Sequence, residues 1–161
     1  GIFLDPAFHF TLARPGCALY GINPTESANP LRPVASLTAP IIQLRTLEFE
    51  ESVGYGATAT LPKGSNVGIF QCGYADGYLR SASNRAYVYV GGHRAPVIGR
   101  VSMDMIAVDV SAIPSALVAN TTHAELLNAH YTVDDLANDS GTIGYEILTR
   151  IGKRVQRKYI S

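Results

Sequence analysis

The chain has 161 residues, with 13 lysines and arginines against 13 aspartates and glutamates, so its formal net charge is zero. That length suits one ordinary domain, or one domain plus a fragment, and the balanced charge argues against a general electrostatic attraction to nucleic acid or to an anionic membrane. Two isolated cysteines and four scattered histidines lack the spacing of a disulfide framework or a metal site, and without a signal peptide or a long apolar run the sequence predicts a cytoplasmic protein.

The N-terminal part of the chain shows no strand periodicity. It opens at Gly1 without a methionine, which fits trimming, processing or a piece of a longer protein. Pro24, Pro30 and Pro33 lie within ten residues and mark a linker. We therefore expect residues 1–33 to stand apart from the rest of the chain.

The next segment predicts a strand and a tight bend. Residues 39–50 alternate apolar and polar positions, which is the period of a half-buried strand. "ESVGYGATAT" then places Tyr55 between Gly54 and Gly56, and glycine permits a sharp bend of the backbone. The Tyr55 ring either packs over this bend, the commoner role of an aromatic side chain, or points beyond the sheet edge.

The middle of the chain continues the β pattern. Residues 66–78 begin as an apolar run and end in a glycine-rich turn. In residues 85–101, Gly91 and Gly92 join two β-branched and aromatic runs, which predicts a hairpin. Residues 103–110, "MDMIAVDV", predict another strand.

Two short helices and a last strand complete the prediction. Thr132 is placed to cap a helix at 132–138, and isoleucines recur on one face of a second helix around 142–151. "RVQRKYI" at 154–160 alternates again and should close the sheet. The expected fold class is mainly β, a small β-barrel or sandwich-like domain with short helices over residues 34–161.

Four motifs occur in a consistent order along the chain, and a weaker fifth, "GYEILTRI" (144–151), follows them. Together they resemble the alanine racemases, bacterial enzymes that use pyridoxal 5′-phosphate (PLP). The four are "RPGCALYGINP" (14–24), "VGYGATAT" (53–60), "GYADGYLR" (73–80) and "GRVSMDMIAVDV" (99–110).

The resemblance implies an architecture of two domains and two subunits. The family has a (β/α)₈ barrel that binds PLP, followed by a mainly β domain, so residues 1–33 would be the end of the barrel and residues 34–161 the β domain. The lysine that holds PLP belongs to the beginning of the barrel, and neither Lys63 nor Lys153 matches it. We therefore expect the isolated chain to be inactive. The resemblance also implies a homodimer with composite active sites and alanine as the small-molecule substrate.

The "RPGCALYG" motif resembles the cofactor-binding segment of the family. By this resemblance Arg14 faces the pyridine nitrogen of PLP and keeps it unprotonated, because a guanidinium only donates. Gly16 and Cys17 would hold the phosphate through backbone N–H groups, where glycine permits close approach. The alternatives are a surface ion pair for Arg14 and simple packing for Cys17.

Two further positions match residues that act on the substrate. Tyr55 matches the tyrosine that takes and returns the α-proton of L-alanine, and it would reach the barrel of the partner subunit. A phenol is a poor base at neutral pH and needs positive charge or hydrogen bonds nearby. Met103 matches a residue whose backbone N–H meets the substrate carboxylate; a core methionine is the alternative, and both can hold together, since the side chain can pack while the amide binds.

Four residues resemble those lining the narrow access channel of the family: Tyr74, Arg80, Arg100 and Asp104. Positive charge there would select a small amino acid with a carboxylate. Surface ion pairs are the alternative for both arginines. A tyrosine that narrows this channel in some members falls near Lys153, so the stringency of substrate choice stays open.

Two other functions remain open at this stage. One is a racemase of the same fold that acts on serine or on a broader set of amino acids. The other is a non-catalytic β-barrel binding module, against which the phosphate-binding motif argues.

Overall fold

The regular elements of the chain are mostly strands in the computed structural model, which describes residues 3–25 and 30–160. The strands are β1 (Leu37–Thr46), β2 (Glu51–Val53), β3 (Ala59–Leu61), β4 (Asn66–Phe70), β5 (Tyr87–Val90), β6 (His93–Ile98), β7 (Ile106–Asp109) and β8 (His123–Leu127). The helices are α1 (Ser115–Asn120), α2 (Val133–Ser140) and α3 (Gly144–Arg150), with 3₁₀ turns at Pro6–Phe8, Cys17–Tyr20, Tyr55–Ala57 and Arg80–Ala82. Within the described ranges, no helix has the length and apolar character needed to cross a membrane.

Six of these strands close into an antiparallel barrel in the order β1–β4–β7–β6–β5–β8, and β8 pairs back to β1. β2 and β3 form a separate two-stranded hairpin. Closure leaves the barrel without an unpaired edge along most of its circumference. The predicted mainly β domain built on a small barrel is confirmed.

The β5–β6 hairpin shows how the sequence pattern sets the barrel core. Val88 and Val90 point inward and are 0% exposed, while the tyrosines that alternate with them are half-buried on the outer face. Gly91 and Gly92 have φ values of 57° and 80°, the left-handed backbone that a tight two-residue hairpin turn requires. The predicted hairpin is therefore confirmed.

The prediction for residues 154–160 is wrong. This segment forms no strand, and its last apolar side chains, Tyr159 and Ile160, are 89% and 87% exposed. The barrel is instead closed by β8, whose Ala124 and Leu126 are fully buried. Because β8 occupies both neighbouring edges, the alternating tail has no strand left to pair with.

The helices hold the N-terminal segment against the domain. Thr132 caps α2 and forms a capping box with Asp135, as the sequence predicted for this helix start. Asn23 donates its backbone N–H to Asp134 Oδ2 over 2.8 Å, and the buried Ile22 packs against Gly144 at the start of α3. The segment before the prolines is thus fixed beside α3.

Candidate functional site

A backbone cradle surrounds Gly16. Gly16, Cys17 and Ala18 line a cleft of about 560 Å³ together with Arg14 and several apolar residues that precede it. Within the described part of the chain, the N–H groups of Gly16, Cys17 and Ala18 donate to no protein acceptor. Several free N–H donors on one turn are suited to binding phosphate oxygens.

Tyr145, the second residue of α3, closes this cradle. An added Cβ at Gly16 would lie 2.6 Å from Tyr145 Oη, so only glycine leaves room for the hydroxyl. Partial burial and the neighbouring Cys17 thiol raise the pKa of the Tyr145 phenol above its usual value of 10.0, so the hydroxyl is protonated and can donate a hydrogen bond at neutral pH. The motif "GYEILTRI" contains Tyr145 but indicates no role for it, because its approach to Gly16 arises only in the folded chain.

Tyr55 lies on a tight glycine bend between β2 and β3. Gly54 and Gly56 both have positive φ values, 76° and 73°, which turn the chain sharply on either side of the tyrosine. The Tyr55 side chain is 72% exposed, so it does not pack over the bend. The second interpretation of this motif, a phenol pointing outward, agrees with this geometry.

Arg100 lies directly beside this bend. An added Cβ at Gly54 would lie 2.9 Å from the backbone nitrogen of Arg100, and one at Gly56 would lie 3.3 Å from its guanidinium Cζ. Gly99 makes the same close approach from the other side, where an added Cβ would lie 2.5 Å from the carbonyl oxygen of Val53. Two chain segments therefore meet through glycines, and their contact places a permanent positive charge next to Tyr55.

Met103 lies on a loop that is bonded to the "GYADGY" turn. Tyr74 and Ala75 donate their backbone N–H groups to the carbonyl oxygens of Ser102 and Met103, over 3.0 and 2.9 Å. The Met103 side chain is 53% exposed, so the core-methionine alternative is wrong. Across residues 3–25 and 30–160, the Met103 N–H finds no protein acceptor and is available to a ligand.

The three predicted functional arginines lie apart from the acidic side chains of the described ranges. Arg14, Arg80 and Arg100 form no ion pair with any carboxylate among the described residues. The surface-pair alternative therefore receives no support for any of them. Each presents an uncompensated positive charge, as expected of groups that meet an anionic ligand.

Asp104, in contrast, is paired. Its Oδ1 accepts a hydrogen bond of 2.7 Å from Arg154 Nη2, and Arg154 also reaches Asp76. Arg154 was not singled out from the sequence, because it lies fifty positions from Asp104 in a tail whose alternation predicts a strand. Lys153 beside it is exposed in a turn.

The site residues fall into two groups that line different clefts. The cradle group faces the 560 Å³ cleft, whereas Tyr55, Arg100 and the loop leading to Met103 surround a second cleft of about 380 Å³. The two clefts share no lining residue. A single copy of this chain thus keeps the two groups of residues in separate clefts.

The chain matches one family over most of its length. The model of the alanine racemase C-terminal domain matches residues 34–159. The alanine racemase of Rhodospirillum rubrum is 50% identical over 99% of this chain and 43% of its own length, and that of Rickettsia canadensis is 44% identical over the same shares. The chain therefore spans less than half the length of these curated relatives.

Solved structures agree with the sequence matches. The biosynthetic alanine racemase of Pseudomonas aeruginosa superposes with a TM-score of 0.84 and 45% identity, covering 92% of this chain and 42% of that one. The alanine racemase of Bartonella henselae, solved with covalently bound pyridoxal phosphate, gives a TM-score of 0.87 and 36% identity over 99% of this chain and 45% of that one.

Proposed function

Since the chain belongs to the alanine racemase family through its C-terminal domain, we propose that it is the C-terminal part of a PLP-dependent alanine racemase. In this proposal it supplies the tyrosine base of a composite site in a homodimer. The observation that carries it is the exposed Tyr55, held on a glycine bend beside the guanidinium of Arg100. A side chain presented in this way serves chemistry outside its own domain.

The cradle fits the cofactor. Gly16 leaves a space that a Cβ would fill, three neighbouring N–H groups have no acceptor among the described residues, and the Tyr145 hydroxyl faces the same point. These groups would hold the phosphate of PLP, and the guanidinium of Arg14 would donate to its pyridine nitrogen. When bound, PLP supplies an electron sink that acidifies the α-hydrogen of an amino acid.

Tyr55 would move the proton at the α-carbon on the L side of alanine. It acts as general base in one direction and as general acid in the other. The guanidinium of Arg100 lies beside the Gly56 side of the same bend, where it would meet the negative charge of an amino-acid carboxylate. The glycine bend fixes where the oxygen lies, which general acid–base catalysis requires.

The Met103 loop would bind the substrate carboxylate. The Met103 N–H offers a donor, and the "GYADGY" turn holds the loop in place. Tyr74, Arg80, Arg100 and Asp104 would line the route to this donor. Positive charge and limited width along the route favour a small amino acid.

The lysine that holds PLP would come from a preceding barrel rather than from this chain. Lys63 lies in the turn between β3 and β4, and Lys153 lies in the exposed C-terminal tail, both away from the cradle lining. We therefore propose that the 161-residue chain alone does not racemise alanine. Turnover by this polypeptide, free of longer species by mass spectrometry, would contradict the assignment.

The test of the function uses the full-length protein and its Tyr55→Phe variant. Conversion of L-alanine to D-alanine should fall by about 10²- to 10⁴-fold, because a phenyl ring carries no proton. PLP binding, followed by its absorbance, should be unchanged. Tyr159→Phe removes the hydroxyl of a tyrosine that is 89% exposed in the tail, and it should behave as wild type.

A Tyr55→Phe variant within about twofold of wild type would remove Tyr55 from the mechanism. Absence of alanine racemisation by the wild-type, PLP-loaded protein would overturn the proposed function itself.

A further inference from the structure

We infer that Arg154 is a positioning residue that locks the Met103–Asp104 loop onto the "GYADGY" turn. The inference rests on the proposed function, in which the Met103 N–H binds the substrate carboxylate. It concerns a residue in the C-terminal tail that lines neither of the two clefts. Arg154 acts through the two carboxylates that its guanidinium joins.

The guanidinium bridges two separate segments. Arg154 Nη2 lies 2.7 Å from Asp104 Oδ1, next to Met103, and Arg154 Nε lies 3.2 Å from Asp76 Oδ1, within the turn. Asp76 uses its other oxygen, Oδ2, to accept the Gly73 N–H over 2.9 Å. One arginine thus completes a chain of contacts from the turn to the loop.

The tail is itself held where Arg154 can make this bridge. Gly152 donates its N–H to the carbonyl oxygen of Asp76 over 2.9 Å. The Arg150 carbonyl oxygen lies so close to Gly77 that a Cβ added at Gly77 would be 2.2 Å from it. These backbone contacts hold the tail without the Arg154 side chain, so its loss should leave the fold intact.

The bridge contributes to geometry more than to stability. The side chains of Arg154 and Asp104 are about half exposed, at 51% and 47%, and ion pairs of this kind add little to the free energy of folding. Backbone hydrogen bonds of Ser102 and Met103 to Tyr74, Ala75 and Met105 hold the loop, however, and the Arg154 bridge adds a side-chain contact at Asp104, directly after the Met103 N–H. Small shifts of such a donor weaken the contact with a carboxylate because hydrogen bonds fall off steeply with angle.

An arginine is suited to this bridge and a lysine is not. Arg154 uses Nε for one carboxylate and Nη2 for the other, which requires the planar fork of the guanidinium. A lysine at this position keeps the charge but has a single nitrogen. It should therefore restore part of the effect.

The test compares Arg154→Ala and Arg154→Lys in the full-length protein. Amide hydrogen exchange of peptides covering 73–78 and 102–105 should become about fivefold faster in Arg154→Ala, and less so in Arg154→Lys. The KM for alanine should rise about tenfold with kcat within about twofold, because the carboxylate contact is made equally in the ground and transition states. The melting temperature should hardly change.

Arg150→Ala is the matched control. Arg150 forms an ion pair of similar exposure with Glu146, but that pair stays within α3. Its loss should alter neither the exchange of the two peptides nor KM. Combining Arg154→Ala with Asp104→Asn should raise KM no further than the larger single change, since both act through one contact.

Unchanged exchange in Arg154→Ala would overturn the inference, and so would faster exchange with an unchanged KM. A drop in kcat and stability shared with Arg150→Ala would show a merely structural role. If the wild-type protein does not racemise alanine, the proposed function fails separately, and the exchange measurement still decides whether Arg154 holds the loop.

Discussion

The hydroxyl of Tyr145 occupies the space beside Gly16, where an added Cβ would lie 2.6 Å from its oxygen. The two residues are far apart in sequence and are brought together because the N-terminal segment docks on α3 through Ile22 and on α2 through the Asn23 bond to Asp134. Gly16 thereby combines free backbone N–H groups with a phenol donor at one point. This arrangement leads directly to a test of the cradle.

Gly16→Ala should weaken PLP binding in the full-length protein. The methyl group displaces the Tyr145 hydroxyl and blocks the approach of a phosphate, and hydrogen bonds to a charged group are worth about 1.5–3 kcal/mol. We expect a loss of about 10- to 100-fold in affinity, measured by titration of PLP absorbance. Gly64→Ala is the control, because its Cβ meets no atom within 4 Å while its φ of +88° costs stability. It should lower the melting temperature and leave PLP affinity unchanged, and equal PLP affinities in wild type and Gly16→Ala would refute the cradle.

Activity should require two subunits, because the cradle and Tyr55 line clefts with no residue in common. Two inactive full-length variants would be mixed, one lacking the barrel lysine and one carrying Tyr55→Phe. In a mixed dimer one composite site holds both changes and the other holds neither, so racemisation should reappear on subunit exchange. If mass spectrometry shows mixed dimers and the mixture stays inactive, Tyr55 does not act in the partner's site.

Cys72 should be inert in the folded protein. Burial, reinforced by the nearby Asp76 carboxylate, raises the pKa of its thiol to about 12. At pH 8 only about one thiol in ten thousand is then ionised, and the thiolate is the reactive form. Alkylation by iodoacetamide followed by peptide mass spectrometry should leave Cys72 unmodified, whereas the denatured chain should react fully. Rapid alkylation of Cys72 in the folded protein would contradict the burial of its thiol.

Glu146 should stabilise α3 above acidic pH. The Thr142 hydroxyl, and next the Arg150 guanidinium, hydrogen-bond its carboxylate and lower its pKa below the usual 4.5. The folded state therefore holds the proton less tightly than the unfolded chain, so this stabilisation is present above pH 4.5 and is lost as the pH falls through the lowered value. Glu146→Gln should reduce the melting temperature at neutral pH, and the difference from wild type should shrink as the pH falls below 4.5 and through the lowered pKa. Glu48→Gln, an exposed site, serves as the control, and a Glu146→Gln difference that does not change as the pH falls would exclude this linkage.

Local rules predicted the elements whose cause is local. The Gly91–Gly92 hairpin follows from turn geometry, and the Thr132 cap follows from a side chain satisfying the free N–H groups of its own helix. The bend around Tyr55 was readable because two glycines flank it. The predicted roles of Arg14, Tyr55 and Met103 came from the resemblance of whole motifs rather than from periodicity, and they stay predictions.

The tertiary structure decided those features that depend on contacts between segments distant in sequence. Alternating apolar and polar residues indicate that a segment can form a strand, but they do not indicate which strand it pairs with. In the folded chain β8 closes the barrel, and residues 154–160 form no strand. In the same way, the sequence around Tyr145 does not indicate its contact with Gly16. The sequence around Arg154 does not indicate that this residue bridges Asp76 and Asp104. By itself the sequence determined the hairpin, the helix cap, the glycine bend and the family motifs, because each depends on neighbours along the chain. Only folding decided barrel closure, the phosphate cradle and the Arg154 bridge, because each joins groups that are distant in sequence through contacts that exist once the core has packed.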